Sequence, residues 1–185
     1  LDIGGESTRP GAEPVSKEQE LDRVIPVIEA LRRKRLKIPI SIDTYKAVVA
    51  EQALQAGAEI VNDVSGLRFD PALATVVKQH HTAIILMHLR GTPRTMQQLP
   101  PVQRIVPAIC QGLAVSLRRA RAAGIGNNQI VLDPGIGFGK TVDQAFEIFT
   151  AGLPRLARMG YPILVGPSHK FFIRKTVESL LKNEK

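Results

Sequence analysis

Polar residues capable of chemistry follow the short apolar runs of this sequence. The residues that follow six such runs are Gly4 to Gly11, Asp43, Asn62, Met87 with His88, Asp133, and Gly166 to Lys170. In parallel α/β folds the carboxyl ends of the strands point to one side, where ligands bind. The sequence therefore predicts one converging polar site.

The residue types at these positions indicate a planar, partly anionic ligand. A buried carboxylate such as Asp43 or Asp133 needs a partner, which adjacent ring N–H and amino groups would supply. Asn62 can offer a donor and an acceptor to the same ligand edge. Arg9 suits bidentate anion recognition, and Lys170 can pair with carboxylates or substrate oxygen. The alternatives are that Arg9 lies in a solvated structural turn and that one carboxylate caps the following helix.

The elements that position these residues alternate between strand and helix patterns along the whole sequence. Ser16 and Gln19 predict a capping box at the start of the first helix. The later helices are predicted over residues 46–55, after a cap at Asp70 with Pro71 in the first turn, and over 102–123, 143–153 and 171–181. About six strands, each followed by a helix, indicate an α/β fold with a parallel sheet.

Two architectures share this local pattern, an open doubly wound sheet and a (β/α)₈ TIM barrel. Polar residues at nearly every strand end favour the closed ring of the barrel. A complete barrel has eight units and about 250 residues. We therefore expect an incomplete barrel of about six βα units forming a single domain over residues 1–185, with one unit before Leu1 and one after Lys185.

Composition narrows the class of protein further. The chain has 185 residues, 44% of them hydrophobic, and a net charge of +8. No apolar run approaches the length of about 18–20 residues that spans a membrane. Cys110, the single cysteine, excludes an internal disulfide and fits a reducing, cytoplasmic compartment; we expect it to be buried in a helix. The basic run 32–37 ends a helix, where cations complement the dipole, so no nucleic-acid partner is expected.

Familiar phosphate and metal motifs nearly match and fail. Residues 135–141 end like a phosphate-binding P-loop, but Pro134 stands where that loop needs glycine. His80, His81 and His88 lack the spacing of a zinc site. Neither a P-loop nor a zinc centre is expected.

The sequence resembles the dihydropteroate synthases over essentially its whole length. The segments that carry the resemblance, in the family's order and approximate spacing, are residues 2–11, 41–44, 62–64, 86–88, 132–140 and 165–170. The resemblance implies a TIM-barrel enzyme of folate biosynthesis. Such an enzyme joins p-aminobenzoate to 6-hydroxymethyl-7,8-dihydropterin diphosphate and releases pyrophosphate and 7,8-dihydropteroate. It also implies Mg²⁺ as a cofactor and a homodimer.

The same resemblance implies roles for individual residues. Pterin binding is expected at Thr8, Asp43, Asn62, Met87, Asp133 and Lys170. Aminobenzoate binding is expected at Thr8, Arg9, Pro10, Phe138, Ser168 and Lys170. The catalytic group is expected to be Asp43, Asp133, Lys170 and Arg9, and the metal ligand is expected upstream of Leu1 rather than in this chain.

Two departures from the family pattern leave alternatives open. His169 stands where the family usually has Arg, and a neutral imidazole contributes less to binding an anion. The family's Asn, Arg and His on the diphosphate have no counterpart in this sequence, so we expect the 185-residue chain by itself to be inactive. The alternatives are a pterin-binding barrel that transfers methyl from methyltetrahydrofolate to a corrinoid protein, and a non-catalytic pterin-binding homologue. The first would not be expected to carry the loop 7–11 or Ser168 with Lys170.

Overall fold

The computed structural model describes residues 1–168 and 170–183, with side chains up to residue 178. His169 therefore lies outside the described residues. The strands are β1 (Asp2–Gly4), β2 (Ser41–Asp43), β3 (Ile60–Asp63), β4 (Ala83–Met87) and β5 (Ile130–Asp133). The helices are α1 (Lys17–Arg33), α2 (Ala47–Gln55), α3 (Leu73–Gln79), α4 (Ile105–Ala122), α5 (Val142–Glu147), α6 (Leu153–Ala157) and α7 (Phe171–Asn183).

The five strands form one parallel sheet in the order β1-β2-β3-β4-β5. Each strand pairs with its successor, whereas a doubly wound sheet reverses its strand order at a switch point. The sequential order is the winding of a (β/α) barrel. The sheet therefore has the predicted architecture, in an incomplete form.

The sixth predicted strand is wrong. Ile163 makes only an isolated bridge to Leu132, through hydrogen bonds from Leu132 N to the Pro162 carbonyl (2.9 Å) and from Leu164 N to the Leu132 carbonyl (2.9 Å). Pro162 and Pro167 bound this run, and proline has no N–H to donate to a ladder. The run lies beside β5 without extending the sheet.

The strand register sorts the side chains onto two faces. Successive residues of a strand alternate sides, and paired residues share a side. One face carries Ile42, Val61, Ile84, Leu86 and Leu132, each 0% exposed. This face packs in the core with the helices. The opposite face carries the polar strand-end residues Asp43, Asn62 and Asp133 together with Met87.

The first and fourth helices follow the sequence predictions. The Ser16 hydroxyl accepts from Gln19 N at 3.2 Å, and the Gln19 side chain accepts from Ser16 N at 3.2 Å. This is the predicted capping box, and α1 continues through Pro26. Helix α4 falls within the predicted range 102–123, and its apolar stripe is buried: Ile105, Ile109, Leu113 and Leu117.

Three local predictions are corrected. The third helix begins at Leu73 rather than Pro71, because the Asp70 carboxylate divides between Ala72 N (3.0 Å) and Ala47 N (2.7 Å), the first residue of α2. The predicted helix over 143–153 becomes α5, a π-helical turn Ile148–Gly152 and α6. Cys110 is half-buried against the core rather than fully buried. Within the described part of the chain, none of the helices combines the length and the hydropathy that a membrane crossing needs.

The packed face of the sheet predicts how the fold responds to a cavity. Leu86 lies in the interior strand β4 and is 0% exposed. Leu86→Ala should lower the free energy of unfolding of the chain by about 2–5 kcal/mol in urea denaturation. Val27→Ala, on the 43% exposed face of α1, should change it by less than about 0.5 kcal/mol. Equal effects at the two positions would contradict the assignment of the faces.

Candidate functional site

A cleft opens on the polar face of the sheet, at the carboxyl ends of the strands. It has a volume of about 320 Å³. All six residues predicted to bind pterin line it: Thr8, Asp43, Asn62, Met87, Asp133 and Lys170. The structure thus brings together side chains from six separate segments of the sequence.

A second cleft of about 540 Å³ adjoins the first. All six residues predicted to bind aminobenzoate line it: Thr8, Arg9, Pro10, Phe138, Ser168 and Lys170. Thr8, Phe138, Ser168 and Lys170 border both clefts, so molecules bound in the two would meet at these residues. The residues predicted to be catalytic also line the clefts. Asp43 and Asp133 line the first cleft, Arg9 lines the second and Lys170 lines both.

Asp43 lies at the floor of the first cleft with an unused oxygen. Its Oδ1 is buried and has no hydrogen-bond partner among the described residues. Burial first, and then the nearby acidic side chains, of which Asp2 acts most strongly, raise the pKa of Asp43 to about 8. In the free protein near pH 7 this carboxyl group is therefore mostly protonated, and its buried oxygen is available for a hydrogen bond with a ligand.

Asp63, next to the site, shows what a structural carboxylate looks like in this fold. Its two oxygens accept from Ser65 N at 2.7 Å and Leu67 N at 2.6 Å, so its capacity is used inside the chain. Asp43 makes no such contact among the described residues. The alternative that Asp43 caps the following helix is therefore not what the structure shows.

Asp133 has contacts that favour its anion, which Asp43 lacks among the described residues. Burial raises the pKa of Asp133 overall, whereas a hydrogen bond from Gly135 N (2.6 Å) and the charges of Lys140 and Lys170 act in the opposite direction. The bond from Gly135 is a local turn contact that occupies only Oδ1, and the following helix α5 is capped by Thr141 rather than by Asp133. Asp133 is 8% exposed and borders the cleft, so its remaining hydrogen-bonding capacity is available to a ligand in the cleft.

Lys170 connects the two clefts. Its Nζ lies 4.2 Å from the centre of the Phe138 ring, a cation–π distance. Burial lowers its pKa, while the negative charges of Asp133 and Asp43 raise it. The ammonium can therefore reach an acceptor in either cleft while Phe138 fixes its position.

Asn62 is held by a residue that the sequence analysis missed. Its Nδ2 donates to Asp2 Oδ2 at 3.0 Å, and Asp2 also accepts from the Ser41 hydroxyl at 2.5 Å. Asp2 lines the cleft. The signal was available, because Asp2 stands two residues before Gly4, which pairs with Asp43, and so shares its face.

The loop that carries Thr8 and Arg9 is fixed at its base by a buried ionic cluster that was also missed. Glu6 accepts from Val15 N (3.1 Å), from the Tyr45 hydroxyl (2.9 Å) and from Lys46 Nζ (2.6 Å). Lys46 donates as well to the Val15 carbonyl (3.0 Å) and to the buried carboxylate of Glu20. Both ends of the exposed loop 7–14 are therefore tied to one ammonium group.

The described residues contain no cluster of metal-ligating side chains. Across residues 1–168 and 170–178, no group of three His, Cys, Asp or Glu side chains could hold a metal ion. Acidic residues near the clefts engage one another through Asn, Ser and Lys side chains instead. The described residues therefore do not form a protein metal site.

Comparison with known proteins places this chain in a family. The model of the pterin binding enzymes matches residues 1–185, so the chain belongs to the pterin-binding enzyme family. The dihydropteroate synthase of Synechocystis is 52% identical over 178 residues, which are 96% of this chain and 61% of that protein. The chain thus spans about three fifths of that relative's length.

Solved structures agree in fold. The dihydropteroate synthase of Yersinia pestis in complex with a sulfonamide drug superposes with a TM-score of 0.90 at 39% identity, covering 96% of this chain and 63% of that one. The Xanthomonas albilineans dihydropteroate synthase with 4-aminobenzoic acid gives a TM-score of 0.88 at 40% identity, covering 96% and 62%. The chain is therefore part of a (β/α)₈ TIM barrel.

The raised pKa of Asp43 predicts a pH-dependent stability. Because the folded pKa of about 8 exceeds the ordinary value of 3.8, the folded state holds this proton more tightly. The stability contributed by Asp43 is present below pH 3.8 and is lost as the pH rises to about 8. Asp43→Asn removes this loss, so its free energy of unfolding should exceed that of the parent chain by an amount that grows across this window. The growth is at most about 1.4 kcal/mol per pH unit.

Urea denaturation at pH 5, 7 and 9 checks this expectation. Asp22→Asn, the same chemical change on the exposed side of α1, is the matched control and should not reproduce the trend. If the free energies of unfolding of Asp43→Asn and the parent chain differ by the same amount at all three pH values, Asp43 does not have a raised pKa in the folded chain.

Proposed function

We propose that this chain forms the pterin-binding and aminobenzoate-binding part of a dihydropteroate synthase. The observation that carries the proposal is the first cleft, where Asp43 offers a buried oxygen that has no partner among the described residues, next to Asn62 and Asp133. A flat nitrogen heterocycle with adjacent N–H donors complements these groups. Membership of the pterin-binding enzyme family supports the same ligand.

In this proposal the pterin lies in the first cleft. Asp133 and Asp43 accept hydrogen bonds from the ring N–H and amino groups, and Asn62, oriented by Asp2, contacts the same edge. Met87, 4% exposed, packs beside the ring, and Thr8 closes the cleft from the loop. When donors reach Asp43, its carboxyl can release its proton and become an acceptor.

Aminobenzoate lies in the second cleft in this proposal. Phe138 and Pro10 provide its apolar walls, while Ser168, Arg9 and Lys170 provide polar contacts. Arg9 and Lys170 carry the positive charge that an anionic carboxylate or diphosphate requires. The aminobenzoate and sulfonamide ligands named for the two solved relatives support this assignment.

The reaction follows from the positions of the two substrates. The amine nitrogen of aminobenzoate forms a bond to the pterin methylene carbon as the C–O bond to diphosphate breaks, and the departing oxygen keeps the electron pair. The nitrogen then releases one of its two protons to solvent. No protein nucleophile is needed, so the chain contributes by positioning the reactants. The carboxylates on the pterin stabilise positive charge that develops on the ring, and Arg9 and Lys170 stabilise the negative charge of the leaving group.

Magnesium, a homodimer and a cytoplasmic location complete the proposal. Mg²⁺ prefers phosphate oxygens with few protein ligands. Because the described residues offer no group of three ligands, Mg²⁺ would be held mainly by the diphosphate, and no step described above passes through it. Sedimentation of the longest natural form of the protein would test the dimer.

Pterin binding tests the proposal directly on the 185-residue chain. Calorimetric titration with 6-hydroxymethylpterin should show saturable binding at one site. Asp133→Asn should weaken binding by about 10–100-fold, the loss expected for hydrogen bonds to a charged group, while circular dichroism stays unchanged. Asp143→Asn, an exposed change in the first turn of α5, is the matched control and should bind like the parent chain.

Two outcomes would contradict the proposal: a folded parent chain that does not bind the pterin, and an Asp133→Asn variant with unchanged affinity. In the longest natural form, ordered binding of pterin diphosphate and then aminobenzoate supports the synthase. Binding of the pterin alone supports the methyl-transferring or the non-catalytic alternative.

A further inference from the structure

The loop that follows β5 is held in an unusual way. Three consecutive backbone carbonyls in it each accept a hydrogen bond from a side chain. The Gly137 carbonyl accepts from Gln97 Nε2 at 3.2 Å, the Phe138 carbonyl from Lys140 Nζ at 3.0 Å and the Gly139 carbonyl from Arg90 NH1 at 2.9 Å. Residues 134–137, 139 and 140 are buried, so the carbonyl groups of this loop are turned away from water and need partners within the chain. The conformation of this loop is therefore fixed by side chains.

Lys140 is the central member of this set. It is 2% exposed, and its Nζ donates to the His88 carbonyl at 2.9 Å as well as to Phe138. His88 directly follows β4, and its N–H donates to the carbonyl of Asp133 at 2.9 Å. The ammonium group thus joins the end of β4 to the loop that carries Phe138, while the backbone bond of His88 joins the ends of β4 and β5.

Glycine at position 135 makes this close approach possible. Its φ is +65°, and a Cβ there would collide with the same His88 carbonyl that Lys140 binds. Phe138 N donates to the Gly135 carbonyl at 3.1 Å, which closes a turn inside the loop. The turn and the lysine together aim the Phe138 ring at Lys170.

A fully buried ammonium is a costly way to hold two carbonyls. Burial lowers the pKa of Lys140 to about 7, and no acidic side chain in the described residues lies within 4 Å of it. The charged groups that act on Lys140 are Asp133, which favours its charge, and Arg90, Lys170 and Arg68, which oppose it. Buried ionisable groups with shifted pKa values cluster at functional sites, and the acidic group on which the charge of Lys140 acts is Asp133.

We propose that Lys140 is a positioning residue for the pterin site, holding the loop 135–139 between the two strand ends and placing its positive charge where it acts on Asp133. Lys140 is not among the residues that line the two clefts, so it acts through Asp133 and Phe138 rather than by touching a ligand. This inference rests on the proposed pterin site and adds a requirement to it.

The test is the pH dependence of 6-hydroxymethylpterin binding to the parent chain and to Lys140→Met. At pH 6.5 and below, the variant should bind the pterin about tenfold more weakly than the parent chain, because both carbonyl contacts and the charge are lost. Its affinity should also fall at a higher pH on acidification. The reason is that the Lys140 charge lowers the pKa of Asp133, so its removal raises that pKa and the carboxylate is protonated sooner.

The other groups that face this region do not mimic the effect. Asp133 is faced by Gly135 N and Lys170 besides Lys140, and both remain in the variant. The pKa of His88 is lowered to about 3, mainly by burial, so its ring stays neutral between pH 5 and 7. Asp43 is present in both proteins, and the comparison between them removes its contribution.

Gln97→Leu is the matched control. It removes the neutral contact that the exposed residue Gln97 makes to the Gly137 carbonyl of the same loop. It should weaken binding less than Lys140→Met does. The acidic limb, which is the fall in pterin affinity on acidification, should lie at the same pH as in the parent chain. A merely structural role for Lys140 would lower stability and affinity without moving the acidic limb.

The outcomes are distinguishable. Binding by the parent chain together with unchanged affinity and acidic limb in Lys140→Met overturns this inference and leaves the proposed function standing. Failure of the folded parent chain to bind overturns both. Should Lys140→Met fail to fold, ¹⁵N-lysine spectra of the parent chain decide: the inference predicts an exchange-protected Nζ signal of Lys140 that shifts when pterin is added, and a signal that does not respond overturns it.

Discussion

The other features of this structure depend on the burial of carboxyl groups on the polar face of the sheet, where the side chains of the chain leave a cleft open. Within the part of the chain that the structure describes, Asp43 keeps a buried oxygen without a partner, and Asp133 uses one oxygen on its own turn. Both stand at strand ends that the register places on the same side. A polar group left unsatisfied costs stability, and the arrangement persists because a ligand can complete it. The clefts, the loops and the proposed chemistry follow from this one arrangement.

Buried cations then hold the loops that surround the carboxyl groups. Lys46 binds Glu6, Glu20 and the Val15 carbonyl, and so fixes the base of the loop that carries Thr8 and Arg9. Lys140 binds two carbonyls and fixes the loop that carries Phe138. In both cases a rigid base supports side chains at the cleft wall. Such support keeps binding groups near their working geometry before the ligand arrives.

The sequence predicted the part of the structure that depends on strand ends. Asp43, Asn62 and Asp133 could be recognised because short apolar runs end at them, and the barrel because nearly every run does so. The loop and turn details depended on contacts between distant residues and could not be predicted. Asp70 divides its carboxylate between two helices, and the bridge at Ile163 stops where prolines remove donors. Lys140 looked like part of a failed phosphate motif, because no local pattern shows that its partners include the carbonyl of His88, 52 residues away.

The most direct measurement of the central claim is a carbon-13 NMR titration of the Asp43 side-chain carboxyl in the 185-residue chain, without and with saturating 6-hydroxymethylpterin. The account predicts a midpoint near pH 8 in the free chain, as burial and the adjacent carboxyl groups require, and a clear shift of the carboxyl resonance when the pterin binds. A midpoint near the ordinary value of 3.8, with a resonance indifferent to the pterin, would contradict it.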